Sequence, residues 1–185
     1  MTTKYFTIRK DWRAWLETNF EAEEDIWLEY PLKKTGKKRI VYNDAVEEAL
    51  CFGWIDSTVK SLNKETTIQR FCKRRKNSPF SQPNIERLKW LLEQGLIHDS
   101  IQTEVLRVIE QEFVFAQDIL EKLKSNKAVW TNFQSFSEPY KRIRVAYIDS
   151  ARKRPEEFNK RLNNFFDKTE ENVLIKGFGG IDKYY

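Results

Sequence analysis

The sequence predicts an α+β fold: a small N-terminal α/β part with a mainly antiparallel sheet, followed by a C-terminal helical bundle part. Two observations carry that expectation. The β-like runs lie between Ile26 and Lys73. From Ser100 onward the apolar residues recur at helical spacing, without a strong strand signal before the tail. The expected division is residues 1–98 for the α+β domain, 99–172 for the helical domain and 173–185 for a tail rich in glycine and aromatics. A chain of 185 residues that is 40% hydrophobic can bury a core in one sizeable domain or two small ones.

In chain order, Trp12, Trp15, Leu16 and Phe20 predict an amphipathic helix over 11–20. Ile26 to Lys34 reads as a strand, with Pro31 favouring an edge or a bulge. A basic loop, Lys33 to Arg39, leads through Ile40-Val41-Tyr42 to a helix with Asn43 as its N-cap. Gly53 sits where a left-handed residue would end that helix. Thr58–Leu62 and Thr66–Lys73 form a hairpin around Asn63-Lys64-Glu65. Strand alternation puts Ile68, Arg70 and Cys72 on one face, the inner one if Ile68 and Cys72 are buried. Ser78 or Ser81 caps the next helix, Pro83 suits its first turn, and Gly95 ends it. Ser100, Asn126, Ser137 and Arg154-Pro155 then punctuate the helical part. The glycine-rich stretch from Lys176 to Tyr185 is expected to move unless its aromatics dock.

Charge is uneven. Residues 60–90 hold 9 basic and 2 acidic side chains, a net of +7, against −2 for residues 1–59 and zero for 91–185. Attraction for an anionic partner therefore centres on that window. No apolar run approaches the roughly 18 residues of a membrane span. The N-terminus lacks the apolar segment of a secretory signal, so the expected location is cytoplasmic. Cys51 and Cys72 are expected as free thiols. With His98 the sole histidine, zinc sites lack ligands, and neither a metal nor a cofactor is expected.

The candidate site lies where the second hairpin strand runs into a helix. Arg70, Arg74 and Lys76 offer donors to an anion. Ser78, Ser81 and Asn84 supply hydrogen bonds near a helix start, Arg87 braces from the helix, and Trp54 forms a wall. Asp56 belongs to the same set, as a ligand contact or as the structural partner of an inward Arg70. An enzyme using the same cleft, with Asp56 as base or Cys51 as nucleophile, is the alternative. A helix C-terminus raises a thiol pKa, which speaks against Cys51. A nucleic-acid or protein interaction module acting through the basic run at 70–76 is the third reading. Its weakness is that no long basic track extends beyond the window.

Several of these residues also carry a family resemblance. Trp15-Leu16, the string Glu48-Ala49-Leu50-Cys51-Phe52-Gly53-Trp54-Ile55-Asp56, Arg70-Phe71 with Arg74, Lys76 and Ser78, and then Ser81, Asn84 and Arg87 resemble the YdeI/OmpD-associated (OmdA, bacteriocin-protection) family. The resemblance runs over most of the chain and weakens in the C-terminal helices. There Ala151-Arg152-Lys153-Arg154-Pro155 departs from the family's usual string. It implies a YdeI-like N-terminal domain, an OmdA-like helical domain and a bacterial protein associated with protection against antimicrobial peptides. Joined to the basic window, it suggests a non-enzymatic binder of an anionic small molecule.

Overall fold

The computed structural model describes residues 2–177 and 181–185. The Phe178-Gly179-Gly180 part of the expected tail lies outside the described residues. The architecture is α+β, with eight α-helices and one four-stranded sheet among the described residues. The chain divides into two compact units. Unit 1 comprises residues 1–80 and 87–109, and unit 2 comprises 81–86 and 110–185.

Unit 1 holds the sheet, in the order β1 (Thr3–Lys4), β2 (Asp25–Pro31), β4 (Thr66–Lys73), β3 (Trp54–Ser61). β1 pairs parallel to β2, and the remaining pairs are antiparallel. Pro31 is tolerated in β2 because β1 reaches only Trp27 and Leu28, so no neighbour on that side needs its missing N–H. β3 forms an edge. Its ladder slips between Asp56 and Val59, where Ser57 and Thr58 stand against Arg70 alone, a β-bulge.

Helix α1 (Arg9–Asn19) covers one face of the sheet. Its Trp12 and Leu16 are fully buried, and Trp12 meets Phe71 edge-on with ring centroids 5.6 Å apart. The Trp12 indole N–H donates to the Ala45 carbonyl at 3.0 Å, tying α1 to α2 (Tyr42–Cys51). Full burial of each such aromatic contributes about 2–3 kcal/mol. Helix α2 is buried at every position from Ala45 to Cys51, and Gly53, at φ +72°, ends it as expected. Asn43 is not its N-cap. Val41 takes that place, and the Asn43 amide lies inside the first turn, where it donates to Glu47 at 2.7 Å. Unit 1 is completed by the later turns of α3 (Gln82–Glu93) and by α4 (Asp99–Ile109).

Because Phe71 points toward α1, alternation sends Ile68, Arg70 and Cys72 to the opposite face, correcting the expected orientation of β4. The sequence could not decide this. Both faces of β4 carry buried residues, Ile68 on one and Gln69 and Phe71 on the other.

Unit 2 is built on α5 (Gln117–Lys124), α6 (Lys127–Ser135), α7 (Glu138–Asp149) and α8 (Pro155–Glu170). Ile119, Leu123, Val129, Phe133, Tyr140, Val145, Ile148 and Phe165 form its core. Asn126 caps α6 by accepting from Ala128 and Val129 N–H, and Ser137 caps α7 by accepting from Tyr140 N–H. Glu86, from the first turns of α3, takes both arms of Arg142 on α7 at 2.7 and 2.9 Å. The end of the chain docks within this unit: Ile181 and Tyr184 are buried, and Arg144 reaches the Tyr185 hydroxyl at 2.6 Å.

Candidate functional site

The expected cations do not share one environment. Arg70 lies on the face of the sheet away from α1. There its Nε and Nη2 donate to Asp25 on β2 at 2.9 and 2.5 Å. Asp25 is opposed to Cys72 in the register, one diagonal step from Arg70, so strand pairing itself supplies the counter-ion. The expected Arg70–Asp56 pair is therefore not formed. Asp56 lies opposite Phe71 in the register, on the other face.

Arg74 leaves the end of β4 and folds over the Phe80 ring, 3.5 Å from its centroid. Its Nη2 donates to the carbonyls of Ser78 at 2.9 Å and Pro79 at 3.2 Å, so one guanidinium organises the loop. Burial lowers its pKa, and the field of Glu104 only partly opposes that effect. Arg75, Lys76 and Ser78 are exposed on this loop. Ser81 is exposed and Asn84 half-buried, with Asn84 N–H and Ile85 N–H both directed to the Ser81 carbonyl.

Trp54 is fully buried. Its indole N–H donates to the Phe20 carbonyl at 3.2 Å, and its ring meets Trp15 edge-on. Cys51 is buried as well. Burial first, and the nearby Glu48 second, push its thiol up to about 12, against the opposing pull of Arg13. The thiol is therefore protonated at neutral pH.

Asp56 and Arg87 come together with residues the sequence reading did not single out. The Tyr42 hydroxyl donates to Asp56 Oδ2 at 2.6 Å, and Gln69 Nε2 approaches the same oxygen at 3.4 Å. Arg87 is buried and donates from Nε and Nη2 to Asn43 Oδ1 at 3.1 and 2.9 Å. Asn43 passes the connection to Glu47, which also receives Arg9 Nη1 at 2.6 Å. Arg9 Nε reaches Glu48, which receives Arg13 Nη1 at 2.8 Å. Burial pulls the pKa of Arg9 down, but Glu48 and Glu47 outweigh it and the net shift is upward. Tyr30 lies opposite Thr67 in the register, on the covered face with Gln69 and Phe71. Burial first, then the fields of Tyr42 and Asp56, raise its pKa. A tyrosine just before a helix, with a glutamine two residues before a buried phenylalanine, was the available signal for this group. It needed the pairing register to be read.

No group of histidine, cysteine and carboxylate side chains suited to a metal ion occurs among the described residues. No helix among them is long and apolar enough to cross a membrane.

Comparison with known families assigns the two parts of the chain differently. Residues 112–172, covering α5 to α8, match the family described as "Bacteriocin-protection, YdeI or OmpD-Associated" (OmdA). The OmdA resemblance is thus carried by the helices where the sequence reading found it weaker. The Cys51–Asp56 string that suggested it falls within a different match. No curated protein and no solved structure matches the chain. Residues 4–104 match the family described as a domain of unknown function (DUF8412), and over more than half its length the chain belongs to that family, followed by its OmdA segment.

Proposed function

We propose that this chain is a protection protein of the bacteriocin-protection type and that its unit 1 binds an anionic small molecule at the loop from Arg74 to Phe80. The first half of this reading rests on the match of residues 112–172 to the bacteriocin-protection (OmdA) family. The second rests on one observation: Arg74 is a half-buried guanidinium held by two carbonyls and a ring, with no carboxylate bonded to it among the described residues and Glu104 acting on it only through its field. Nε and Nη1 of its fork stay open to a carboxylate or phosphate oxygen. Exposed Arg75 and Lys76 add charge beside it, within the window that carries the chain's positive excess. Arg70 is left out of this site, because Asp25 already neutralises it.

Titrating the chain with inorganic phosphate at constant ionic strength, followed by amide chemical shifts, tests the binding half. Saturable shifts are expected around residues 74–80, lost in Arg74→Ala and kept in Arg70→Ala. Equal loss in both variants, or a response no different from chloride, rejects the anion site. Survival of bacteria expressing the chain under bacteriocin challenge tests the protective half. A survival no better than that of cells without the chain sinks it.

A further inference from the structure

We infer that unit 1 also carries a site for a primary ammonium group, formed by Asp56, Tyr30, Tyr42 and Gln69. It lies between the sheet and the first turn of α2. The site is separate from the Arg74 loop and does not rest on the anion reading.

Three features of the cluster point the same way. The first is an uncompensated negative charge. Asp56 Oδ2 accepts from Tyr42 and Gln69, while Oδ1 accepts from nothing, and no cation pairs with this carboxylate among the described residues. Neither nearby arginine bonds to this carboxylate, although Arg39 lies over the Tyr30 ring, 5.8 Å from its centroid. Arg87 gives two donors to Asn43, and Arg39 Nη1 donates to the Pro31 carbonyl at 2.7 Å. A half-buried carboxylate with two neutral donors and no counter-ion lacks what an ammonium supplies.

The second feature is the Tyr30 hydroxyl. The residue is only 7% exposed, and its oxygen is buried without a hydrogen-bond partner. Buried hydroxyls are nearly always satisfied, so this one marks a place for a polar atom. In the register Tyr30 lies opposite Thr67, one diagonal step from Gln69 on the same face, and Gln69 in turn reaches Asp56. The third is the composition of the surroundings. The cluster offers acceptors in a carboxylate oxygen, the Gln69 carbonyl oxygen and the phenol oxygens, together with two tyrosine rings. Gln69 uses its NH₂ toward Asp56 and the Ser57 carbonyl, which leaves its oxygen as the free end. An acceptor-rich, aromatic-walled site with an open carboxylate oxygen favours a donor-rich ammonium over an anion or a neutral group.

Access follows the gradient of exposure. Tyr42 is 37% exposed at the mouth, Asp56 is half-buried behind it, and Tyr30 closes the inner end. An entering ammonium would place one N–H on Asp56 Oδ1 and present another to Tyr30, with Tyr42 keeping its bond to Oδ2. Such a group is available on free amines and at peptide N-termini.

Propylammonium chloride and 1-propanol, nearly equal in size and differing in charge, are the probes. Each is titrated into the ¹⁵N-labelled full chain at matched ionic strength. Propylammonium is expected to give saturable shifts at the Gln69 side-chain amide and the backbone amides of Tyr42 and Asp56. The midpoint for propanol should lie at least ten-fold higher. Asp56→Asn should weaken propylammonium at least ten-fold with the rest of the spectrum unchanged, and Tyr30→Phe should weaken it a few-fold. Arg74→Ala should leave it untouched, which separates this test from that of the anion site. Equal responses to both probes overturn the proposal, as does the absence of saturation, the result expected if ordered water alone serves Tyr30. So does undiminished binding in Asp56→Asn. Should Asp56→Asn fail to fold, Tyr30→Phe decides, and unchanged affinity there rejects the site.

Discussion

Arg70 and Arg74 stand one β-strand end apart, yet their charges meet different chemistry. Arg70 has a bifurcated contact to Asp25, but both side chains are about one-third exposed, at 35% and 34%. Water screens the pair, and exposed ion pairs of this kind contribute about 0.2–1 kcal/mol. Arg70→Ala should therefore cost less than about 1 kcal/mol in urea unfolding, and a double-mutant cycle with Asp25→Ala should return a coupling within that range. A cost above about 2 kcal/mol would mean that the guanidinium has a further buried partner. For Arg74 the protein supplies carbonyls and a ring face in place of a carboxylate. The two residues are alike in the sequence, and only the register shows which one is already neutralised.

At the scale of elements, α2 is the most loaded piece of unit 1. It presents apolar Val46, Ala49 and Leu50 to the core while Glu47 and Glu48 are held by arginines of α1. Removing Glu48 would take one carboxylate from both cations, leaving Arg9 on Glu47 and Arg13 on Glu17 and the Leu96 carbonyl. Breaking a buried pair from one side costs about 3–5 kcal/mol. The arginines here are 28% and 27% exposed and each keeps a second carboxylate, so the expected loss for Glu48→Ala by chemical denaturation falls below that range, at about 2 kcal/mol. A loss under about 1 kcal/mol would show that solvent takes over both cations.

Much of this layer was legible in the sequence. Gly53 as the stop, the break at Arg154-Pro155, the helix openings at Asn126 and Ser137, and the 66–73 strand all follow from local chemistry. Asn43 did not, because a side chain that suits a cap is equally suited to bridging Glu47 and Arg87. The partner of Arg70 was hidden for a similar reason. Asp25 lies 45 residues away, and nothing local distinguishes it from Asp56. The concentration of charge between residues 60 and 90 is plain in the sequence, but its division between two sheet faces depends on a parity that burial on both sides of β4 conceals.

For the whole molecule, ionisable groups kept neutral by burial set the alkaline limit. Cys51 is pushed from 9.0 to about 12, and Tyr30 and Tyr42 are raised from 10.0 by burial first. A raised folded-state pKa contributes stability that is complete below the unfolded value and is lost as pH climbs toward the folded one. Stability should accordingly decline from about pH 9 and more steeply above pH 10, as urea midpoints across that range would show. Cys51→Ala should start less stable but decline less between pH 9 and pH 11. An identical slope would mean that the thiol does not take part.

The step in the ladder at Ser57 and Thr58 matters for how many copies of the chain can share a solution. β3 is an outer strand eight residues long, and such a rim is an invitation to a neighbour's backbone. The extra residue twists the rim and breaks its even spacing of N–H and C=O groups, so a second molecule cannot zip along its full length. Folded copies should therefore gain little from joining edge to edge along this border.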